Sequence, residues 1–167
     1  MSAATENYVL DANAFIQAHR KFYAFNICPG YWQALLWNQT QTRVCSIDKV
    51  RDELETGGDA LWDWAKTNFA FHSTDTITEH FGEVATWVQK QSQFTPAAIA
   101  EFMDVADGWL CAYAKAHNLV LVTLEIHKPD KKTNVPLVNV CKAFNVETIT
   151  PFEMLSRLGI RLGWQPC

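Results

Sequence analysis

The sequence predicts an α/β domain with a central, mainly parallel sheet. Two short apolar runs carry this prediction, Tyr8-Val9-Leu10 and residues 119–123. The second run is continuously apolar, which is typical of a strand that is covered on both faces. Between and after these runs, apolar residues recur at helical spacing. Strands that alternate with helices build a parallel sheet, and ligands lie beyond the carboxyl ends of its strands.

The other elements are predicted from periodicity and from residues that begin or end helices. Asp48, Asp59 and Thr95 are expected to cap the helices that follow them, and Gly57-Gly58 is expected to end one. Further strands are predicted at residues 43–47 and 146–149. Helices are predicted at residues 14–18, 29–38, 49–56, 59–65, 76–91, 95–117 with a break near Met103, 138–144 and from Thr150 onward.

The composition predicts a single domain over residues 1–167. Nearly half of the residues are apolar, which is enough for a sizeable core. The five cysteines are scattered and form no C-x-x-C pair, which argues against a disulfide framework or a zinc site. No signal peptide or membrane span is expected, so the predicted location is the cytoplasm. The net charge of -4 disfavours nucleic-acid binding unless bound cations compensate for it.

Four carboxylates are candidates for one site. Asp11 and Glu125 follow the two clearest strands, while Glu53 and Asp107 lie beside apolar helix positions. Taken singly, Asp11 could be a helix cap and Glu125 a solvated charge. Asp104 remains open, as either a fifth member or an exposed neighbour. Carboxylates about 6 Å apart repel by roughly 3 kcal/mol per pair, so such a cluster persists only if some members are protonated or if cations occupy it. Ligands that offer only oxygen favour Mg²⁺ or Mn²⁺. The cluster therefore predicts phosphodiester chemistry with two metal ions.

The order of these motifs resembles that of PIN domains. The resemblance rests on Asp11-Ala12-Asn13, Glu53-Leu54, Ala106-Asp107 and residues 122–125. Residues 122–125 together with residues 135–141 resemble, more narrowly, the PIN-like family DUF4411, which is related to VapC-type toxins. The resemblance spans nearly the whole chain. It implies a three-layer α/β/α fold, a metal-dependent ribonuclease, an antitoxin as partner, and leaves room for a homodimer.

The resemblance also assigns residues. Asp11, Glu53 and Asp107 match acidic metal-site positions, and Glu125 stands where many PIN domains have Asp. Asn13 stands where Ser or Thr is common, and Thr123 either orients a ligand or serves the structure. The loop after Glu125 carries three lysines that are expected to bind RNA phosphates unless they are only solvated: Lys128, Lys131 and Lys132. We call the loop that carries these three lysines, residues 126–134, the basic loop.

Other functions remain open at this stage. A haloacid-dehalogenase phosphatase also uses Mg²⁺ and an Asp at a strand end, but it needs a second Asp where this chain has Asn13. A response-regulator receiver would need adjacent acids at the first strand. The non-enzymatic alternative is a PIN-like module that binds RNA or regulates without catalysis. Trp62, Trp64 and Trp109 are assigned to the core rather than to base stacking.

Overall fold

A computed structural model describes residues 4–166 and contains a four-stranded sheet. The strands are β1 (Tyr8–Leu10), β2 (Val44–Cys45), β3 (Val120–Val122) and β4 (Thr148–Ile149), in the spatial order β2-β1-β3-β4. Every pairing is parallel, and the central pair places Leu10 opposite Val122. All four carboxyl ends therefore lie at one edge of the sheet.

Nine α-helices connect and cover the described strands. Two short segments of other helix types accompany them, a π-helix at Ala18–Phe22 and a 3-10 helix at Asp75–Ile77. The α-helices are α1 (Ala12–Gln17), α2 (Pro29–Thr40), α3 (Asp48–Gly57), α4 (Ala60–Asn68), α5 (Thr78–Gln89), α6 (Pro96–Asp104), α7 (Asp107–His117), α8 (Leu137–Ala143) and α9 (Pro151–Arg157).

The centre of the sheet is covered on both faces. Val9 and Leu10 point to opposite faces because successive strand residues alternate, yet both are fully buried, and so are Leu121 and Val122. These side chains belong to one hydrophobic cluster that includes the apolar faces of the helices. The predicted α/β fold with a parallel central sheet is thus confirmed.

Most predicted helix starts are also confirmed. Asp59 accepts hydrogen bonds from the backbone amides of Leu61 and Trp62, and the Thr95 hydroxyl accepts one from Ala98. The prediction for Asp48 was wrong. Asp48 is the first residue of α3, and its carboxylate accepts hydrogen bonds from Thr74 instead.

The helical segment before the site is interrupted where the sequence predicts it. The break falls at Val105-Ala106, between α6 and α7, and it leaves Asp107 at the first position of α7. In the described part of the chain, Cys28, Cys45, Cys111 and Cys141 are free thiols. The helices found between residues 4 and 166 are too short or too polar to cross a bilayer.

Candidate active site

Asp11 lies at the carboxyl edge of the sheet, in the crevice between the two central strands. It follows β1 directly, and its backbone amide donates to the carbonyl of Val122 on β3 (3.0 Å). Its side chain is 4% exposed and makes no capping hydrogen bond at the start of α1. The Asp11 carboxylate instead accepts a hydrogen bond of 2.8 Å from the hydroxyl of Thr123, which follows β3. A side-chain hydrogen bond thus joins the residues that follow the two central strands.

The Thr123 hydroxyl is the centre of a small network. It donates to Asp11 and accepts from the Asn13 side-chain amide and from the Glu125 backbone amide, both at 3.1 Å. Asn13 also accepts from the backbone amide of Leu124 (3.0 Å). One donor and two acceptors exhaust the capacity of a hydroxyl. The network therefore favours a role for Asn13 and Thr123 in orienting Asp11, and their direct contact with substrate stays a prediction; for Thr123 it requires one of these bonds to break.

Glu53 and Glu125 are each tied to the start of a helix. An oxygen of Glu53, on α3, accepts the backbone N–H of Ala106 just before α7 (3.1 Å). An oxygen of Glu125 accepts the backbone N–H of Leu137, the first residue of α8 (3.1 Å). These amides have no partner within their own helices, and the positive end of the helix dipole favours a carboxylate there. Each hydrogen bond orients its carboxylate and uses only one of the two oxygens.

Asp107 completes the group of four. It begins α7 and lines a cavity of about 230 Å³ together with Glu53, Glu125 and a further acid, Glu101. None of the described donors forms a hydrogen bond to the Asp107 carboxylate. Sequence analysis missed Glu101, because an exposed glutamate on an amphipathic helix carries no signal of its own.

The charges of neighbouring acids contribute to the pKa values of Asp11 and Asp107. Burial raises the pKa of Asp11 from 3.8 to about 7; the charges of Glu125 and Glu53 add to the rise, and the Thr123 hydrogen bond opposes it. Burial, followed by the charges of Asp11, Glu125 and Glu53, raises the pKa of Asp107 from 3.8 to about 8. Burial also raises the pKa of Glu53. Near neutral pH the buried pair, Asp11 and Asp107, retains protons that exposed carboxyls would lose.

The donor set suits a hard divalent cation. All four side chains offer oxygen only, and one oxygen of Glu53, one of Glu125 and both of Asp107 make no hydrogen bond within residues 4–166. In that range, no three Asp, Glu, His or Cys side chains enclose a position for a metal ion as they stand. Mg²⁺ does not need such a cage, because it usually keeps several waters and binds through one or two carboxylates. The donor atoms are thus of the type that Mg²⁺ prefers, and its binding stays a prediction.

A second cavity of about 250 Å³ adjoins the first. Glu53 and Val105 line both, so the two cavities are neighbours, and we call them together the groove. Asp104 lies in the second cavity, exposed, rather than beside Asp107. Two residues that sequence analysis did not assign to the site also lie there, Lys49 and Trp109.

The basic loop lies near the first cavity. Asn134 and Val135, at the end of that loop, line the cavity beside the acids. The loop backbone is held by hydrogen bonds from Gln93 to the carbonyls of Pro129 and Lys131 and from Thr95 to that of Lys132. The three lysine side chains are exposed and form no ion pair with any described residue. Their contact with RNA stays a prediction.

Comparison with known proteins identifies the family. A model of the family described as "Domain of unknown function (DUF4411)" matches residues 8–162. The chain belongs to this family. All four candidate acids of this DUF4411 domain lie inside the matched range. No curated protein matches the chain.

A solved structure supports the fold of the DUF4411 domain. The chain is similar to one in the crystal structure described as VapBC2 from Rickettsia felis bound to a DNA fragment from their promoter. The TM-score is 0.53 at 16% identity, over 86% of this chain and 97% of that chain. At this identity the likeness concerns the fold, and it agrees with the predicted α/β architecture with a parallel central sheet.

Proposed function

We propose that this protein is a metal-dependent endoribonuclease and the toxin of a toxin–antitoxin pair. One observation carries the proposal: Glu53, Asp107 and Glu125, separated along the chain, line one cavity, and the charges of both glutamates help to raise the pKa values of Asp11 and Asp107. Asp11 lies at the carboxyl edge of the parallel sheet. The motif resemblance to PIN domains and the fold of the solved neighbour support the same assignment.

The four acids would hold Mg²⁺ or Mn²⁺. When bound, such an ion supplies Lewis-acid chemistry, which lowers the pKa of a water nucleophile and neutralises the departing oxygen of the phosphodiester. The chain's own residues prepare the site. Thr123 orients Asp11, the amide of Ala106 orients Glu53 and the amide of Leu137 orients Glu125.

The phosphatase alternative finds less support. That chemistry needs an acid two residues after Asp11, and there the Asn13 amide is engaged with Thr123 and with the Leu124 backbone. We therefore expect no hydrolysis of a simple phosphate monoester such as p-nitrophenyl phosphate. Hydrolysis that depends on Asp11 would instead favour the phosphatase.

A mixed pool of single-stranded RNA, incubated with purified protein and Mg²⁺, Mn²⁺ or EDTA, tests the nuclease. We expect cleavage with either ion and none in EDTA. Asp11→Asn and Glu53→Gln are expected to lose cleavage while keeping the far-ultraviolet circular dichroism spectrum of the wild type. Asp104→Asn, which changes the exposed neighbour, is expected to keep cleavage. Cleavage that persists in EDTA, or in the Asp11 and Glu53 variants, contradicts the proposed site. RNA binding without cleavage in any metal favours the non-enzymatic module.

The proposed toxin activity is tested in cells. Expression of the wild-type chain in bacteria is expected to slow growth, because free nuclease would degrade RNA. Expression of Asp11→Asn at the same level is expected to leave growth unchanged. Equal growth in both strains, with active nuclease in the lysate, contradicts the toxin assignment and leaves the nuclease assignment intact.

A further inference from the structure

Lys49 lies on α3 one helical turn before Glu53, on the same face, and both line the second cavity of the groove. We propose that Lys49 binds a backbone phosphate of the RNA strand adjacent to the one that is cleaved, and that Trp109 positions its ammonium group. This inference rests on the proposed nuclease function and adds to it a binding residue on the α3 side of the acids.

The groove is strongly acidic, so binding of an RNA strand along it requires a cation. Seven of the residues that line the two cavities are ionisable, and within residues 4–166 Lys49 is the one cation among them; the acids are Glu53, Glu101, Asp107, Glu125, Asp52 and Asp104. A polyanionic strand that lies along this groove is repelled by every other charged group in it. An ammonium group beside the acids attracts a phosphate and determines where the strand passes.

The contacts of Lys49 leave its charge available. Its ammonium nitrogen lies 5.0 Å from the centre of the Trp109 ring, and it forms no ion pair with any described carboxylate. Asp52, which lines the same cavity, pairs with Arg51 instead (2.9 Å). A cation over an aromatic face is held in place without being neutralised. An incoming phosphate therefore meets an ammonium group that is already oriented.

Trp109 is a firm platform for that ammonium group. Its ring stacks on Phe81, with the ring centres 3.9 Å apart and the planes only 4° from parallel. Trp109 is also two residues after Asp107 on α7, so the same helix that carries an acid of the site carries the support of Lys49. Lys49 itself lies on α3, so the cation and its aromatic support come from two different helices.

The groove also gives the strand a direction. The first cavity borders the end of the basic loop, the second contains Lys49, and Glu53 lies where they meet. Lys49 thus lies on one side of Glu53 and the end of the basic loop on the other. A phosphate contact at Lys49 helps to place the scissile phosphate over the carboxylates.

Steady-state cleavage of a fluorescent single-stranded RNA of mixed sequence, measured with Mg²⁺ from 50 to 300 mM KCl, tests the proposal. For Lys49→Gln we expect a roughly fivefold rise in KM near 0.1 M salt, little change in kcat, and a slope of log(kcat/KM) against log[KCl] that is shallower by about 0.7, the value for one phosphate contact on a single strand. Lys49→Arg keeps the charge and is expected to restore the slope.

Lys115→Gln is the matched control. Lys115 also lies over an aromatic ring, 4.8 Å from the centre of Phe144, but it pairs with Glu83 (3.0 Å) and lies at the other end of α7, near the amino edge of the sheet. Its replacement removes the same charge and is expected to leave KM and the salt slope unchanged. Trp109→Phe is expected to keep a KM and a salt slope close to those of the wild type. Trp109→Leu is expected to raise KM and flatten the slope as Lys49→Gln does, at a temperature where both variants are folded.

The outcomes separate the two proposals. Wild-type cleavage with an unchanged KM and salt slope in Lys49→Gln overturns the inference and leaves the nuclease function standing. An equal change in Lys115→Gln assigns the effect to net charge and also overturns it. A wild-type protein that neither cleaves nor binds RNA overturns the proposed function and, with it, the role of Lys49.

Discussion

Replacement of Asp107 by asparagine turns the electrostatics of the site into a stability measurement. Its folded-state pKa of about 8, against 3.8 for an ordinary carboxyl, means that the folded protein holds this proton more tightly than the unfolded chain does. Stability is then lost as pH rises from about 4 through 8. At pH 7 the difference in pKa corresponds to about 4 kcal/mol against the folded, metal-free state.

Asp107→Asn removes this cost. Solvent reaches part of the side chain and the new amide needs partners of its own, so we expect about half of the cost to be recovered, roughly 2 kcal/mol at pH 7. In a domain of this size the melting temperature should rise on the order of 5 °C. At pH 4, close to the ordinary carboxyl pKa of 3.8, the unfolded chain also holds a substantial share of this proton, so the two proteins should melt within about 1 °C of each other.

Calorimetric scans in EDTA at pH 4 and pH 7, followed by scans with rising Mg²⁺, provide the assay. The wild type is expected to gain stability as RT ln(1 + [L]/Kd), about 2.7 kcal/mol at a concentration 100 times Kd, and Asp107→Asn to gain much less. Asp104→Asn is the control, because it removes an exposed acid three residues away and should change neither scan. A metal-free Asp107→Asn that is strongly destabilised at pH 7, with an unchanged response to Mg²⁺, would make Asp107 a structural residue and refute the reasoning.

Three further predictions address the surroundings of the site. Thr123→Val removes the hydrogen bond that lowers the pKa of Asp11, so the acidic limb of the pH–rate profile should move to higher pH; an unmoved limb contradicts the network. Changing the three lysines of the basic loop to alanine should raise KM for RNA and flatten the dependence of kcat/KM on salt. The Mg²⁺ affinity, measured by calorimetric titration, should stay the same. An unchanged salt slope would show that those lysines only contact solvent. Gly108→Ala places a Cβ 3.0 Å from Phe81 and 3.1 Å from Phe102, so urea denaturation should show a loss of about 1 kcal/mol despite the better helix propensity of alanine.

The sequence predicts most of the framework because its signals are local. The apolar run before Asp11 and the one before Thr123 define the two central strands, and Asp59 and Thr95 define helix starts through bonds to amides two or three residues away. Asp48 has the same local pattern, yet its partner is Thr74, 26 residues later. A capping motif cannot reveal a partner that only the tertiary fold supplies.

The candidate site also combines residues that local sequence signals predict with residues that only the tertiary fold reveals. Asp11 can be placed from its position at a strand end, whereas Lys49 looks like any solvated lysine on an amphipathic helix. What distinguishes Lys49 is Trp109, which lies 60 residues away in the chain and reaches it only when α3 packs near α7. The tethering of Glu53 to Ala106 and of Glu125 to Leu137 is likewise invisible to periodicity, because it depends on which helix starts come to lie beside them.

These tethers have a consequence for synthesis of the chain. Thr123 is 112 residues beyond Asp11, Ala106 is 53 beyond Glu53, and Leu137 is 12 beyond Glu125. Contacts at such separations form only after the intervening backbone has been ordered, since loop closure must be offset by the packing that follows it. During translation the acids of the amino-terminal half leave the ribosome well before their partners exist. A growing chain is therefore without an assembled centre until α8 has emerged.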